Sequence, residues 1–362
     1  MNLNNRNKGN GTFADVLCAI IFLTFTFIYL YSYQDNILVV GQHVLSNGAT
    51  SYNRTIGAVL ITLFLFFLQI LVRSLIKPMG SGTILMYFPS FLLLTIITDV
   101  SKNIDVSFSF GGWLWAVPLL LLLWGGLVWL QKQIFAKNYT SLDDITLLSR
   151  GMWIRLLIML IMMIFTCSFS NNNRMFHYRI ETEHYIMDKK YDEALAVGKK
   201  CRDKDSSMTM LRAYALSCKD KMADSLFFYP LCGGSKALLP DGITTKSMLI
   251  PSKAIIAHYK MPAYKVDYAL MALLLDKDID SFVSELRKHY SISAHLPRHY
   301  REALVLYTHL RSNPQVVFHE TVMDTDFQDF TDMQHAKGSK QVKQSNIRDT
   351  YGGTYWYYYE YE

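Results

Sequence analysis

From its N-terminus the chain alternates long apolar runs with short polar joints. Near Ser170–Asn173 this gives way to apolar residues recurring every three or four positions. Five runs approach the roughly 20 apolar residues that carry a helix across a bilayer: 13–33, 56–76, 83–98, 112–130 and 152–169. They predict a transmembrane domain over 1–170. Arg73 and Arg155 lie near span ends, where long basic side chains reach the headgroups. The third run is the shortest and contains Pro89. Past residue 170 the three- and four-residue spacing predicts amphipathic helices. The expected fold is therefore all-α: a bundle of about five transmembrane helices, a soluble helical domain over 171–335, and a linker with an aromatic tail over 336–362.

The charge distribution agrees with this division. Residues 1–170 hold ten Lys/Arg and six Asp/Glu, against twenty-six and twenty-four in the remainder. Trp113, Trp115, Trp129 and Trp153 fall near span ends, where amphipathic rings favour the membrane interface. The first span follows Arg6 and Lys8 but runs on into Tyr31, Ser32 and Tyr33, without the small residues of a cleavage site, so it reads as an uncleaved anchor. With the N-terminus inside, the inner segments carry Arg6, Lys8, Arg73, Lys77, Lys132, Lys137, Arg150 and Arg155, and the outer loops only Arg54 and Lys102. Cytoplasmic loops are enriched in basic residues, so five crossings place the second half outside the cytoplasm. The lipid bilayer is thus one expected partner. A net charge of +6 without a basic run excludes a nucleic-acid arm.

In the second half, Lys190-Tyr191 with Ala194-Leu195 and Lys221-Met222 with Ser225-Leu226 are 31 positions apart, and Tyr300-Arg301-Glu302-Ala303-Leu304 repeats Tyr-x-Glu-Ala-Leu 109 positions after Tyr191. A small residue three positions after an aromatic leaves room for a facing helix. Ala194 and Ala303 are therefore predicted helix-packing positions. This period resembles that of tetratricopeptide repeats, which stack helical hairpins about 34 residues long. The first-helix Trp and Leu-Gly of that pattern are absent, and a connector from Gly233 to Pro251 interrupts the register. The polar stretch 336–349 reads as a linker. Six aromatics crowd the eight residues from Tyr355. So apolar a tail needs a partner surface, and Tyr355, Trp356, Tyr358 and Tyr359 are its candidate anchors. The expected dock is the hairpin around Tyr300–Leu310.

Three segments, Leu211–Ser217 with Leu226–Pro230, Leu296–Ala303 and Gly353–Tyr359, resemble those of a family of uncharacterised bacterial inner-membrane proteins. The resemblance implies several spans, a tetratricopeptide-like domain, an aromatic C-terminus and a location in the bacterial inner membrane, where the basic-residue bias and five crossings put the C-terminal domain in the periplasm. It implies no activity.

No catalytic or metal-binding constellation emerges. Glu181-Thr182-Glu183-His184 gives one Glu-x-x-His where a di-iron bundle needs two. His295 and His299 flank Pro297, which suits a helix start and leaves His299 a solvated first-turn residue. Asp276, Asp278 and Asp280 alternate like part of a calcium loop, but the Gly and Glu of that loop are missing, so they read as helix-capping acids. Cys18 and Cys167 read as small apolar residues, while Cys201, Cys218 and Cys232 leave room for one bridge that the sequence does not choose. No catalytic residue, metal site or cofactor is expected. The expected function is a membrane-anchored envelope protein whose outer helical domain binds protein or peptide. The alternative is an envelope enzyme or translocation component for glycan or lipid-linked substrates, relying on Asp35, His43, Asp99 and Asp105 of the outer loops.

Overall fold

The computed structural model describes residues 3–78, 80–101, 104, 111–137, 150–336 and 339–362. The chain forms two compact units, Met1–Arg174 and Met175–Glu362, and no strand occurs among the described residues.

The first unit begins with α1 (Leu3–Ile28), which ends in a π-helical turn at Tyr29–Tyr33. Then come α2 (Asp35–Leu45), α3 (Arg54–Ile76), a 3-10 segment at Gly80–Tyr87, α4 (Phe88–Thr98), α5 (Trp113–Lys137) and α6 (Arg150–Phe169). Among the described residues, four stretches are long and apolar enough to cross a membrane: Phe13–Tyr33, Arg54–Ile76, Trp113–Gln133 and Gly151–Phe169. The third expected span differs, because its apolar helix Thr83–Thr98 is shorter. Pro89 sits in the first turn of α4, where its missing N–H breaks no bond, and the residues before it wind as 3-10 helix. Asn53 caps α3 by accepting the Ile56 N–H at 3.0 Å.

Buried hydroxyls of this unit bond across helices. Ser90 Oγ donates to the Leu65 carbonyl at 2.8 Å, Thr95 Oγ1 to Thr166 Oγ1 at 3.2 Å and Tyr29 Oη to Ser170 Oγ at 2.6 Å. Such bonds satisfy polar atoms that hydrocarbon cannot. Phe22, Tyr87 and Phe91 lie in the apolar centre, the Phe22 ring centroid 5.1 Å from each of the other two. Leu60, Phe64, Phe67 and Leu71 of α3, with Trp115, Leu119 and Leu122 of α5, point outward. That is the surface hydrocarbon would cover.

The second unit continues with α7 (Arg174–Met187), α8 (Tyr191–Ala196), α9 (Ser206–Ser217), α10 (Met222–Ser225), α11 (Ser252–Tyr259), α12 (Pro262–Leu275), α13 (Ile279–His289), α14 (Arg298–Leu310), α15 (Thr321–His335), α16 (Lys340–Tyr351) and α17 (Tyr355–Tyr361). Local signals start several of them. Asp205, Asp278, Ser339 and Thr354 each accept an N–H of the first turn that follows. From α12 to α17 each helix packs on the next, and α17 returns to α14. One core, including Leu211, Leu274, Phe282, Tyr300, Leu304 and Trp356, runs through the unit. The second helices of the first two hairpins are short, six and four residues.

The linker expected over 336–349 is instead largely helical. Ser339 starts α16, and Ile347 and Tyr351, one turn apart, bury its inner face. The turn into α17 needs glycine twice. A Cβ at Gly352 would lie 2.3 Å from the Arg348 carbonyl oxygen, and one at Gly353 2.2 Å from the Phe228 ring.

Candidate functional site

Pro297 fixes the entry to α14, and Glu302 follows one turn into the helix. Its side chain is buried, yet it holds a charged and polar set. Oε1 accepts Arg298 Nε at 2.7 Å, while Oε2 meets His299 Nδ1 at 2.9 Å and the Tyr355 backbone N–H at 2.8 Å. The Glu302 carbonyl oxygen accepts Trp356 Nε1 at 2.7 Å. A carboxylate thus meets the N-terminus of α17, the end of a helix that favours negative charge. Burial pushes this carboxyl up, but His299, the Tyr355 N–H and Arg298 outweigh it and hold it below the ordinary carboxylate value.

Around this pair the tail is locked by its rings. Tyr355, Trp356, Tyr357 and Tyr358 are buried, whereas Tyr359 is partly exposed. Trp356 meets Phe327 at 5.1 Å, Phe227 meets Tyr358 at 4.8 Å, and Tyr358 Oη donates to the Leu275 carbonyl at 2.8 Å. Tyr355, Tyr358 and Tyr359 share one face of a helix, but Trp356 and Tyr357 are buried as well because α14, α15 and α16 enclose α17 on more than one side.

Beside Trp356 opens a polar pocket of about 380 Å³ between α14, α15 and the start of α17. Four of its charged residues are paired with each other, and a fifth, Asp326, is exposed. Arg301 Nη1 reaches both oxygens of Glu320, at 2.8 and 2.7 Å, and Arg298 is held by Glu302. Arg301 Nε is buried without a hydrogen-bond acceptor among the described residues. Val322 stands at the pocket with 69% of its surface exposed. The arrangement offers hydrogen bonds, shape and the exposed carboxylate of Asp326, with its other charges neutralised by each other.

Two other buried polar clusters lie in this unit. Glu183, fully buried, accepts the consecutive N–H groups of Met248, Leu249 and Ile250 at 2.9, 2.6 and 3.3 Å. Burial nevertheless dominates and raises its carboxyl to about 7. Ser217 Oγ lies 2.9 Å from His258 Nε2, with Cys218 Sγ at 4.0 Å. Burial lowers the His258 ring below its usual value, and the Tyr264 ring stacks on it at 4.1 Å. This is an enclosed, aromatic-packed serine–histidine contact, and it faces none of the pockets described here.

In the membrane unit, Asp15 joins three elements. It accepts Arg73 Nη2 at 2.6 Å, Arg155 Nη1 at 3.3 Å and Thr83 Oγ1 at 3.0 Å. The two arginines expected at the headgroups thus share a carboxylate, and Arg155 is itself buried. Of the outer-loop acids, Asp35 pairs with Arg54 at 3.3 Å and Asp99 accepts Trp113 Nε1 at 2.7 Å. Asp105 lies outside the described residues.

The structure places Ala194 and Ala303 at full burial. The two Tyr-x-Glu-Ala-Leu copies diverge in between: Glu193 is exposed, Glu302 buried. His299, expected to be solvated, has no exposed surface, because Phe227, Phe228 and Glu302 surround it. Of the three alternating acids, Asp278 caps α13, Asp276 accepts the Ser235 N–H, and Asp280 pairs with Arg311. All five cysteines are free thiols. No group of three or more His, Cys, Asp or Glu capable of holding a metal occurs among the described residues.

The model of a family of unknown function, DUF6057, matches residues 110–264 and 253–362. No curated protein and no solved structure matches the chain.

Proposed function

The chain belongs to this family of unknown function, a membership that carries no activity, and we propose that it is a membrane-anchored protein whose helical unit, residues 175–362, binds a protein or peptide partner as a scaffold or adaptor. The observation that carries this reading is the polar pocket beside Trp356. Its arginines are engaged by Glu302 and Glu320, and its remaining carboxylate, the exposed Asp326, has no histidine or lysine beside it in the lining to share acid–base work. A pocket of paired charges with one exposed carboxylate, Asp326, and an exposed apolar lip at Val322 suits the backbone and side chains of a bound peptide. The succession α12 to α17, packed helix on helix, fits a tetratricopeptide-like stack, an architecture that exposes extended binding surfaces.

The reading includes an address. The basic residues favour an inner N-terminus, and five crossings then export the helical unit into the periplasm of a bacterial cell. Four crossings come from the long apolar helices. For the fifth, the 3-10 segment Gly80–Tyr87 and α4, laid end to end, rise roughly 32 Å, matching a hydrocarbon core of about 30 Å.

Affinity capture of the full chain from native membranes tests the reading. The wild type should retain a partner protein that Val322→Arg, which fills the pocket mouth without touching an ion pair, releases. Equal retention by both proteins would refute the pocket as the binding surface.

A further inference from the structure

The membrane unit contains a second, much larger cavity of about 850 Å³, within the roughly 300–1,000 Å³ of ligand pockets. Its walls come from α2, α3 and α4, with Ile37, Leu38, Ile61, Leu93 and Ile97 among them. It lies at one end of the bundle, where α1 has closed, α3 begins, α4 stops and Trp113 opens α5. Tryptophan favours that level of a membrane.

Two observations point to its occupant. The first is the opening. Leu45 and Phe64 both line the cavity and are 68% and 60% exposed, and Phe64 belongs to the outward face of α3 with Leu60, Phe67 and Leu71. The cavity is therefore continuous with the surface that bilayer hydrocarbon covers. Water gains little in an apolar space of this size, and its empty walls would forgo their dispersion contacts. The second is Tyr52. It lines the cavity, and its hydroxyl is buried without a hydrogen-bond partner among the described residues. Its ring lies against Gly57, where a Cβ would come within 2.2 Å of it, so glycine lets the ring settle on α3. A buried unmet donor is costly, and Gln42, Ser46 and Asp99 line the same cavity as Tyr52.

We propose that this cavity binds one glycerophospholipid from the bilayer, with acyl chain in the space between α2, α3 and α4 and an ester carbonyl accepting the Tyr52 hydroxyl. The site belongs to the membrane unit alone and stands whether or not the helical unit binds a peptide. Its role is either to fix α2 against the bundle or to present a lipid at the outer end of the spans.

The test uses the full chain in nanodiscs of phosphatidylethanolamine and phosphatidylglycerol, a fraction of which carries a diazirine near the end of one acyl chain. Photoadducts should concentrate in 37–46 and 93–101. Gly41→Phe, whose nearest neighbour is 3.9 Å from a built Cβ and which therefore projects into open cavity, should cut them about tenfold while leaving adducts on the outward face near Phe67 and Leu71 unchanged. Tyr52→Phe keeps the ring and removes only the donor. It should lower the phospholipid that stays bound through detergent extraction, read by mass spectrometry, and it decides the matter alone if Gly41→Phe does not fold. Adducts spread evenly over all outward faces, retention unaltered in Tyr52→Phe, or a polyisoprenoid retained in place of phospholipid would each overturn the proposal.

Discussion

The backbone N–H of Tyr355 donates to the carboxylate of Glu302 at 2.8 Å, across 53 positions of sequence. This contact ties the last helix to the middle of α14 and satisfies one of the unpaired N–H groups that begin any helix. Its partner on the same oxygen, His299, has no exposed surface. Removing the carboxylate therefore strands two buried groups at once, the His299 ring and the Tyr355 N–H.

Glu302→Ala should destabilise the helical unit by about 3–5 kcal/mol, the usual cost of breaking a buried charged network from one side. Hydrogen exchange of the full chain in detergent checks it. Amides of 355–361 should lose protection first, and Trp356→Ala should do the same by removing the ring packed on Phe327 and Phe330. Unchanged exchange at 355–361 in both variants would show that α17 is held by something other than Glu302 and Trp356.

Ala194 and Ala303 are fully buried, each on a helix that packs against a neighbour. Ala194→Leu and Ala303→Leu should each cost roughly 1–3 kcal/mol through overpacking, with the larger loss at Ala303, next to Glu302 and Tyr300. Thermal unfolding of the full chain followed by exchange in the α8 and α14 peptides measures both. If both variants unfold like the wild type, the space around these alanines is loose and their packing role is wrong.

The helical class and the long spans were legible because apolar runs and three- or four-residue spacing are local properties of a sequence. The polar sites were not. Asp15 finds Arg73 and Arg155 at separations of 58 and 140 positions, and no local pattern reports such a pairing. Glu302 and Glu193 occupy equivalent places in the same five-residue pattern, yet only one is buried, because only the Tyr300 copy receives α17. The stretch before the tail misread as a linker because its polar composition hides a Ser339 cap and one anchor, Ile347, with the second, Tyr351, just beyond it. The third run has the expected bounds, 83–98, but its 3-10 start at Gly80–Tyr87 was not legible, because composition does not separate 3-10 from α winding.

Glu183 makes stability depend on pH. Its carboxyl is raised to about 7 by burial, whereas unfolded it titrates at about 4.3. The folded state thus holds the proton after the unfolded state has released it. A raised folded value contributes stability fully present below the unfolded pKa and lost as pH rises through the folded one. This group should cost on the order of 3 kcal/mol between pH 4.5 and 7, partly offset in the whole chain by carboxylates of opposite sign such as Glu302. Glu183→Gln, still able to accept the Leu249 N–H, should flatten the unfolding midpoint over that window. An identical pH slope in wild type and variant would remove Glu183 from the account.

The central claim, that the helical unit engages a partner protein at the pocket beside Trp356, is tested most directly by photo-crosslinking in intact cells. A photoreactive residue is placed either at Val322, exposed at the pocket, or at Val342, exposed on α16 and outside the pocket lining. The account predicts a discrete protein adduct from Val322 and none of the same mass from Val342. Adducts of equal yield from both positions, or none from Val322, would contradict it.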